Sequence, residues 1–110
     1  MCDPRVLAGP TQTPFTVPPT IRNRAAAIQS IEQAYPAALK ARGVRGAVRL
    51  WFLIDNEGRV ARAAFETSSG HPALDSAAVY AARLFQFTSP YNEREKTCVW
   101  TALPIVFPPR

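Results

Sequence analysis

A chain of 110 residues with 47% hydrophobic and 19% charged side chains builds one small domain around a single core, which excludes a deep two-lobed cleft for a large substrate. The formal net charge is +5, and apart from Lys40 and Lys96 each of the 13 basic residues is arginine, so nucleic acid, lipid headgroups and cell-wall polymers come into consideration as anionic partners. The arginines are scattered from Arg22 and Arg24 through Arg49, Arg59 and Arg62 to Arg83 with no run of five, which is the pattern of a solvated surface.

In chain order, residues 1–22 (MCDPRVLAGPTQTPFTVPPTIR) carry Pro4, Pro10, Pro14, Pro18 and Pro19, which remove backbone donors and favour extended conformations. They are predicted as a proline-rich extended arm ahead of a domain spanning 23–110, with Phe15, Val17 and Ile21 able to lay an edge strand or a clasp on it. Cys2 sits in this arm, and the opening MCDPRVLAG lacks the charged and apolar regions of a signal peptide. The only other cysteine is Cys98, and without Cys-x-x-Cys or His/Cys spacing neither a zinc site nor a disulfide framework follows. A Cys2–Cys98 bridge, separate thiols and a lipidated Cys2 all stay open, and with them the redox compartment.

Asn23 is placed to cap a helix whose Ile28, Ile31, Tyr35 and Leu39 recur at spacings of three and four. Pro36 removes an N–H and pushes Tyr35 from helical geometry, which predicts a kink or two short helices ending at Gly43. The Tyr35–Pro36 step either presents Tyr35 outward at the rim of a groove or packs it inward.

GAVRLWFLID alternates Val48, Leu50, Phe52 and Ile54 against Arg49, Trp51 and Leu53, a strand with one strongly apolar face and one mixed face. DNEG turns the chain and RVARAAFET returns as the hairpin partner. A helix is then predicted from about Pro72 to Gln86, its stripe of Leu74, Ala77, Ala78, Ala81 and Phe85 small enough for close packing on a sheet. No apolar run reaches the roughly 18 residues of a membrane span.

At the start of that helix ETSSGHPALDSAA gathers Ser68, Ser69, Asp75 and the only histidine, His71. A serine nucleophile needs an imidazole within about 3 Å and an orienting group beyond it. Ser69 lies before the first turn with Gly70 between, and no Gly-x-Ser-x-Gly elbow is present. These residues read as a turn and a helix start, with Pro72 in the first helical position, so the chain is not read as an enzyme, and no cofactor or metal is expected.

KTCVWTALPIVF, residues 96–107, forms the last strand. Pro104 cannot donate to a ladder, so this strand lies at an edge or carries a bulge. The order α-β-β-α-β makes an α+β two-layer sandwich, a three-stranded antiparallel sheet with two helices on one face and the other face open, where Trp51 projects.

Several motifs, in order, resemble the C-terminal domain of the TonB energy-transducer family between about Tyr35 and Phe107. They are Tyr35–Pro36; GVRGAVRLWFLIDNEGRV, similar to the family's Gly-x-x-Gly-x-Val strand and Asp-x-x-Gly-x-Val hairpin; SSGHPALDSAA, similar to its Ser-Ser-Gly…Leu-Asp-x-Ala-Ala helix start; and LPIVF, similar to its closing strand. The loop FTSP places its proline one residue later than the family's Phe-x-Pro. The resemblance implies a periplasmic module that captures the TonB box, an extended peptide of outer-membrane transporters, by strand addition, and transmits force from a proton-driven inner-membrane motor for nutrient uptake. It implies a peptide site at Tyr35, Pro36, Thr97, Cys98, Val99, Trp100, Thr101, Ala102 and Leu103. The family also carries an N-terminal membrane helix and a proline-rich spacer; the chain is expected to be either an excised domain, tethered to the inner membrane and its motor proteins through that missing helix, or a short relative.

A second reading takes PFTVPP as a leading strand, giving the element order of RNA-recognition domains and a small basic nucleic-acid-binding domain. RVARAAF lacks the aromatic pattern that stacks bases, and Trp51 equally covers the open face or makes a homodimer contact, so nucleic acid is not an expected partner.

Overall fold

In the computed structural model, which describes residues 2–109, the elements in chain order are α1 (Pro4–Leu7), α2 (Arg24–Ala34), α3 (Ala37–Ala41), β1 (Gly46–Ile54), β2 (Val60–Thr67), α4 (Pro72–Ala82), β3 (Tyr91–Asn92), β4 (Glu95–Lys96) and β5 (Val99–Phe107). The strongly alternating segment becomes β1, the centre of an antiparallel sheet in the order β2-β1-β5. Its even-numbered side chains Val48, Leu50, Phe52 and Ile54 are fully buried and meet Ile31 of α2 and Leu74, Ala78 and Ala81 of α4. Phe52 is flanked by Phe85 and Phe87 at centroid distances of 5.8 and 5.9 Å, and burial of one such side chain contributes about 1.5–3 kcal/mol. The expected α+β sandwich with a three-stranded antiparallel sheet is present.

Each turn follows from a particular residue. Tyr35 (ψ 114°) and Pro36 (ψ 129°) are extended and divide α2 from α3, as the proline predicts. Between β1 and β2, Asp55 accepts the Glu57 and Arg59 N–H groups, each at 2.9 Å. Gly58 there has φ +84°, and a Cβ on it would lie 1.9 Å from the Phe87 carbonyl oxygen, so both its conformation and its surroundings require glycine.

Several boundaries differ from expectation. Asn23 does not cap α2 with its side chain; its amide instead donates to the Leu84 carbonyl at 3.1 Å and accepts the Gln86 N–H at 2.9 Å, tying the start of α2 to the chain beyond α4. The helix α4 ends at Ala82, and turns at Leu84 and Phe85 carry the phenyl ring into the core. The final strand begins at Val99, and residues 91–96 before it form a two-residue-turn hairpin with Glu93 (φ 50°) and Arg94 (φ 78°) both left-handed, as a type I′ turn requires.

The largest correction concerns the face expected to be open. The arm crosses it, with Cys2 joined to Cys98 by a disulfide (Cα–Cα 5.6 Å). Cys2 and Val6 pack with Leu53, Cys98, Trp100 and Trp51 into a second small core. Leu53 and Trp100 are 0% and 5% exposed; leaving two such large apolar groups in water would cost several kcal/mol, which is the physical reason the arm settles there. The Trp100 indole Nε1–H donates to the Val6 carbonyl at 2.7 Å, and the Arg62 guanidinium, 6.0 Å over the Trp100 ring, donates to the Leu7 carbonyl. The arm then turns past the start of β5 and runs beside residues 86–91, with bridges Val17–Tyr91 and Ile21–Phe87. Val17 and Ile21 thus make the expected clasp through their backbones, while Phe15 makes no bridge among the described residues, and the side chains of Phe15 and Val17 are both 50% exposed.

Candidate functional site

The sheet has two outer edges, β2 and β5, and two residues of β5 define the direction of its backbone groups. The Trp100 N–H leaves the sheet to reach the Thr13 hydroxyl at 3.1 Å. Pro104, four residues on, has no N–H and faces Arg49 in a ladder that runs without a register shift. Because backbone groups alternate along a strand, positions 100, 102, 104 and 106 turn outward, and Thr101, Leu103, Ile105 and Phe107 bond inward to β1. Among the described residues nothing pairs with the outward N–H groups of Ala102 and Val106. Pro104 thus sits where its missing donor costs the fold nothing, which resolves the choice between edge and bulge in favour of the edge.

The residues singled out by sequence divide sharply on this strand. Thr97 precedes it and gives its N–H to the Pro90 carbonyl at 3.0 Å; Cys98 is bound in the disulfide; Val99 is 1% exposed in the main core; Trp100 is covered by the arm. Only Thr101, Ala102 and Leu103 lie half-exposed at the unpaired stretch, which extends beyond them to Val106. Tyr35 does not form a rim. It is 8% exposed, its ring is 5.4 Å from that of Phe107, and its hydroxyl donates to the Val44 carbonyl. Pro36 is half-buried and extended.

The Ser/His/Asp segment is assembled around the carboxylate, not the imidazole. Asp75 in the first turn of α4 accepts the Ser69 N–H at 2.9 Å and the hydroxyls of Ser69, at 2.7 Å, and Ser68. The Ser68 hydroxyl foremost, then the Ser69 N–H and hydroxyl, hold its carboxyl below the usual range against the opposing effect of burial. The serine oxygens in turn accept the Gly70 and His71 N–H groups, both at 3.0 Å. Gly70 has φ +85°, and His71 is an exposed helix-capping position whose ring takes no part in these bonds.

Among the described residues no group of three or more His, Cys, Asp or Glu is placed to hold a metal ion, and no helix is long and apolar enough to cross a membrane. A surface hollow of about 750 Å³ between Val17, Arg59, Phe87 and Lys96 is wide open, with Arg59 bound to Asp55 at 3.2 Å and Lys96 to Glu57 at 3.5 Å.

A family model described as the Gram-negative bacterial TonB protein C-terminal matches residues 31–109. No curated protein and no solved structure matches the chain.

Proposed function

The chain belongs to the TonB C-terminal family, a family of periplasmic, non-enzymatic energy-transducer domains, and on that premise we propose that it captures the TonB box of outer-membrane transporters as a strand added to β5. The observation that carries this reading is the pair of unpartnered outward N–H groups, Ala102 and Val106, on an edge marked by Pro104. An extended peptide lying there gains main-chain hydrogen bonds without fixing its side chains, so one adaptor serves several transporters. Opposite Pro104 a peptide carbonyl finds no donor and stays hydrated. The partner-contacting stretch is therefore Thr101–Val106, which shortens the sequence-derived site at Thr97–Trp100 and lengthens it past Leu103.

In this reading the pull originates in the proton-driven motor proteins of the inner membrane and enters through a membrane helix on the N-terminal side of the arm. The test is isothermal titration of the full chain with a TonB-box peptide and with the same composition in scrambled order. Saturable binding of the first, with affinity insensitive to salt because the bonds are main-chain, supports the proposal. Absence of heat at millimolar peptide contradicts it.

A further inference from the structure

The arm meets the edge that the added strand would use at one backbone position. Outward alternation continues from Ala102 back to Trp100, yet the Trp100 N–H is already taken by the buried Thr13 hydroxyl at 3.1 Å. The arm that supplies this acceptor is otherwise thinly held. Helix α1 buries none of its residues, and among the described residues those from Gly9 to Gln12 form no hydrogen bond to the rest of the chain. What fixes this stretch is the Cys2–Cys98 bond, the packing of Cys2 and Val6 on Leu53 and Trp100, the Val6 carbonyl on the Trp100 indole, the Leu7 carbonyl on Arg62, and Thr13. Hollows of about 440 Å³ and about 210 Å³ flank the disulfide, Cys98 and Thr97 lining both. Cys2 is half-exposed while Cys98 is 7% exposed, so the Cys2 side of the bond is the more open to solvent.

We propose that residues 2–13 are a built-in occupant of the first part of the β5 edge, latched by the Cys2–Cys98 disulfide and released by a dithiol reductant. This rests on β5 being the peptide edge. One thiolate of the dithiol attacks the Cys2 Sγ, the S–S bond breaks, and Cys98 leaves as a thiolate and takes a proton. The second thiol then displaces Cys2 from the mixed disulfide, so the dithiol ends as its own disulfide and both cysteines as thiols. Cutting the bond removes the effective concentration that keeps the arm on Trp100. The unpaired edge then runs over residues 100–106 in place of 102–106, and the apolar surface of the Trp100 side chain on that edge strand becomes available to the added strand. The latched domain holds short extended segments; the released domain holds longer ones more tightly.

The experiment uses the full chain oxidised, the same chain in dithiothreitol, a Cys2→Ser variant, and Thr13→Val with the disulfide intact. The probes are acetylated, amidated peptides of four and eight alternating Thr and Val residues. Amide hydrogen exchange is read at Trp100, and affinity by calorimetry. Reduction and Cys2→Ser should speed Trp100 exchange about tenfold or more while the inward amides of Thr101 and Leu103 keep their protection, and Thr13→Val should speed Trp100 alone. Affinity for the eight-residue peptide should rise about tenfold on release, as one regained edge hydrogen bond with its apolar contacts implies, with the four-residue peptide changing less than about twofold on the same scale. Unchanged Trp100 protection after reduction, or equal affinity of both forms for the long peptide, overturns the latch while leaving the peptide edge standing. If neither peptide binds either form, the edge reading fails and the latch with it.

Discussion

Proline substitutions at adjacent positions of β5 separate binding from folding. Ala102 turns its N–H outward, so Ala102→Pro removes a donor that the fold does not use, in the same register class as Pro104, which the edge already accommodates. Its cost to stability should stay near 1 kcal/mol, a shift in Tm of about 4–8 °C for a domain of this size. A docked peptide loses that hydrogen bond and keeps a carbonyl buried against the ring, about 1–3 kcal/mol together, or roughly 5- to 140-fold in Kd. Thr101→Pro is the control. Its N–H points inward to the ladder with Phe52, and a proline there removes a ladder hydrogen bond and leaves the buried Phe52 carbonyl unsatisfied, about 2–4 kcal/mol together, so Tm should fall by more than about 8 °C. Calorimetric titration with a TonB-box peptide, paired with thermal unfolding of each variant, reads both quantities. A folded Ala102→Pro that binds the peptide within twofold of the parent, or a Thr101→Pro as stable as Ala102→Pro, would refute the assignment of inward and outward amides.

Other expected outcomes concern the framework. Gly58→Ala meets both a left-handed φ and the Phe87 carbonyl oxygen and should lose about 3 kcal/mol or more in urea denaturation, whereas Gly70→Ala, with no atom within 4 Å of the new Cβ, should lose only backbone strain of about 1 kcal/mol; equal losses would contradict the close approach at Gly58. Tyr35→Ala should lower stability by about 3–5 kcal/mol and leave the peptide affinity of the folded fraction unchanged, and the opposite ranking would restore Tyr35 to the groove. Asp75 titrates below its unfolded value because the Ser68 hydroxyl foremost stabilises its anion, so its contribution to stability is present above the unfolded pKa of about 3.9 and is lost as pH falls through the lower folded value. Asp75→Asn should flatten the stability profile below about pH 4, and His71→Ala, which removes only the weakest of the contributions that lower the Asp75 carboxyl, should change it far less, as followed by thermal unfolding across pH 2–6.

How much of this was legible in the sequence follows from where the signal was local. The alternation of Val48, Leu50, Phe52 and Ile54 defines β1 and its buried face without help from the rest of the chain, and the breaks at Pro36, Gly43 and Gly58 follow from backbone chemistry. The turn reading of Ser68 to Asp75 held for the same reason, although the carboxylate organises the serines and not the reverse. The course of residues 2–13 was not legible, because it depends on contacts between residues far apart in the chain, Cys2 with Cys98 and Thr13 with Trp100. Two cysteines allow one pairing, but composition alone does not say that they meet. A signal is present in Leu53 and Trp100: a mixed strand face carrying large apolar groups needs a cover, and residues 2–13, ahead of the expected clasp at Val17 and Ile21, are free to supply it. The same cover bears on the proposed site, since strand propensity at Cys98, Val99 and Trp100 does not say which backbone groups remain free. The hairpin at 91–96 carries no sequence signal because its left-handed turn uses Glu93 and Arg94 instead of the usual glycine or asparagine.

The central claim, that an extended peptide adds as a strand to β5, is tested most directly by a backbone-amide NMR titration of the oxidised chain with a TonB-box peptide, followed by intermolecular nuclear Overhauser contacts at saturation. The account predicts the largest downfield shifts at the Ala102 and Val106 amides, small shifts at the inward amides of Leu103 and Ile105, and peptide Hα contacts along residues 101–106. Shifts centred on the β2 edge around Ala63 and Phe65, or on no edge at all, would contradict it.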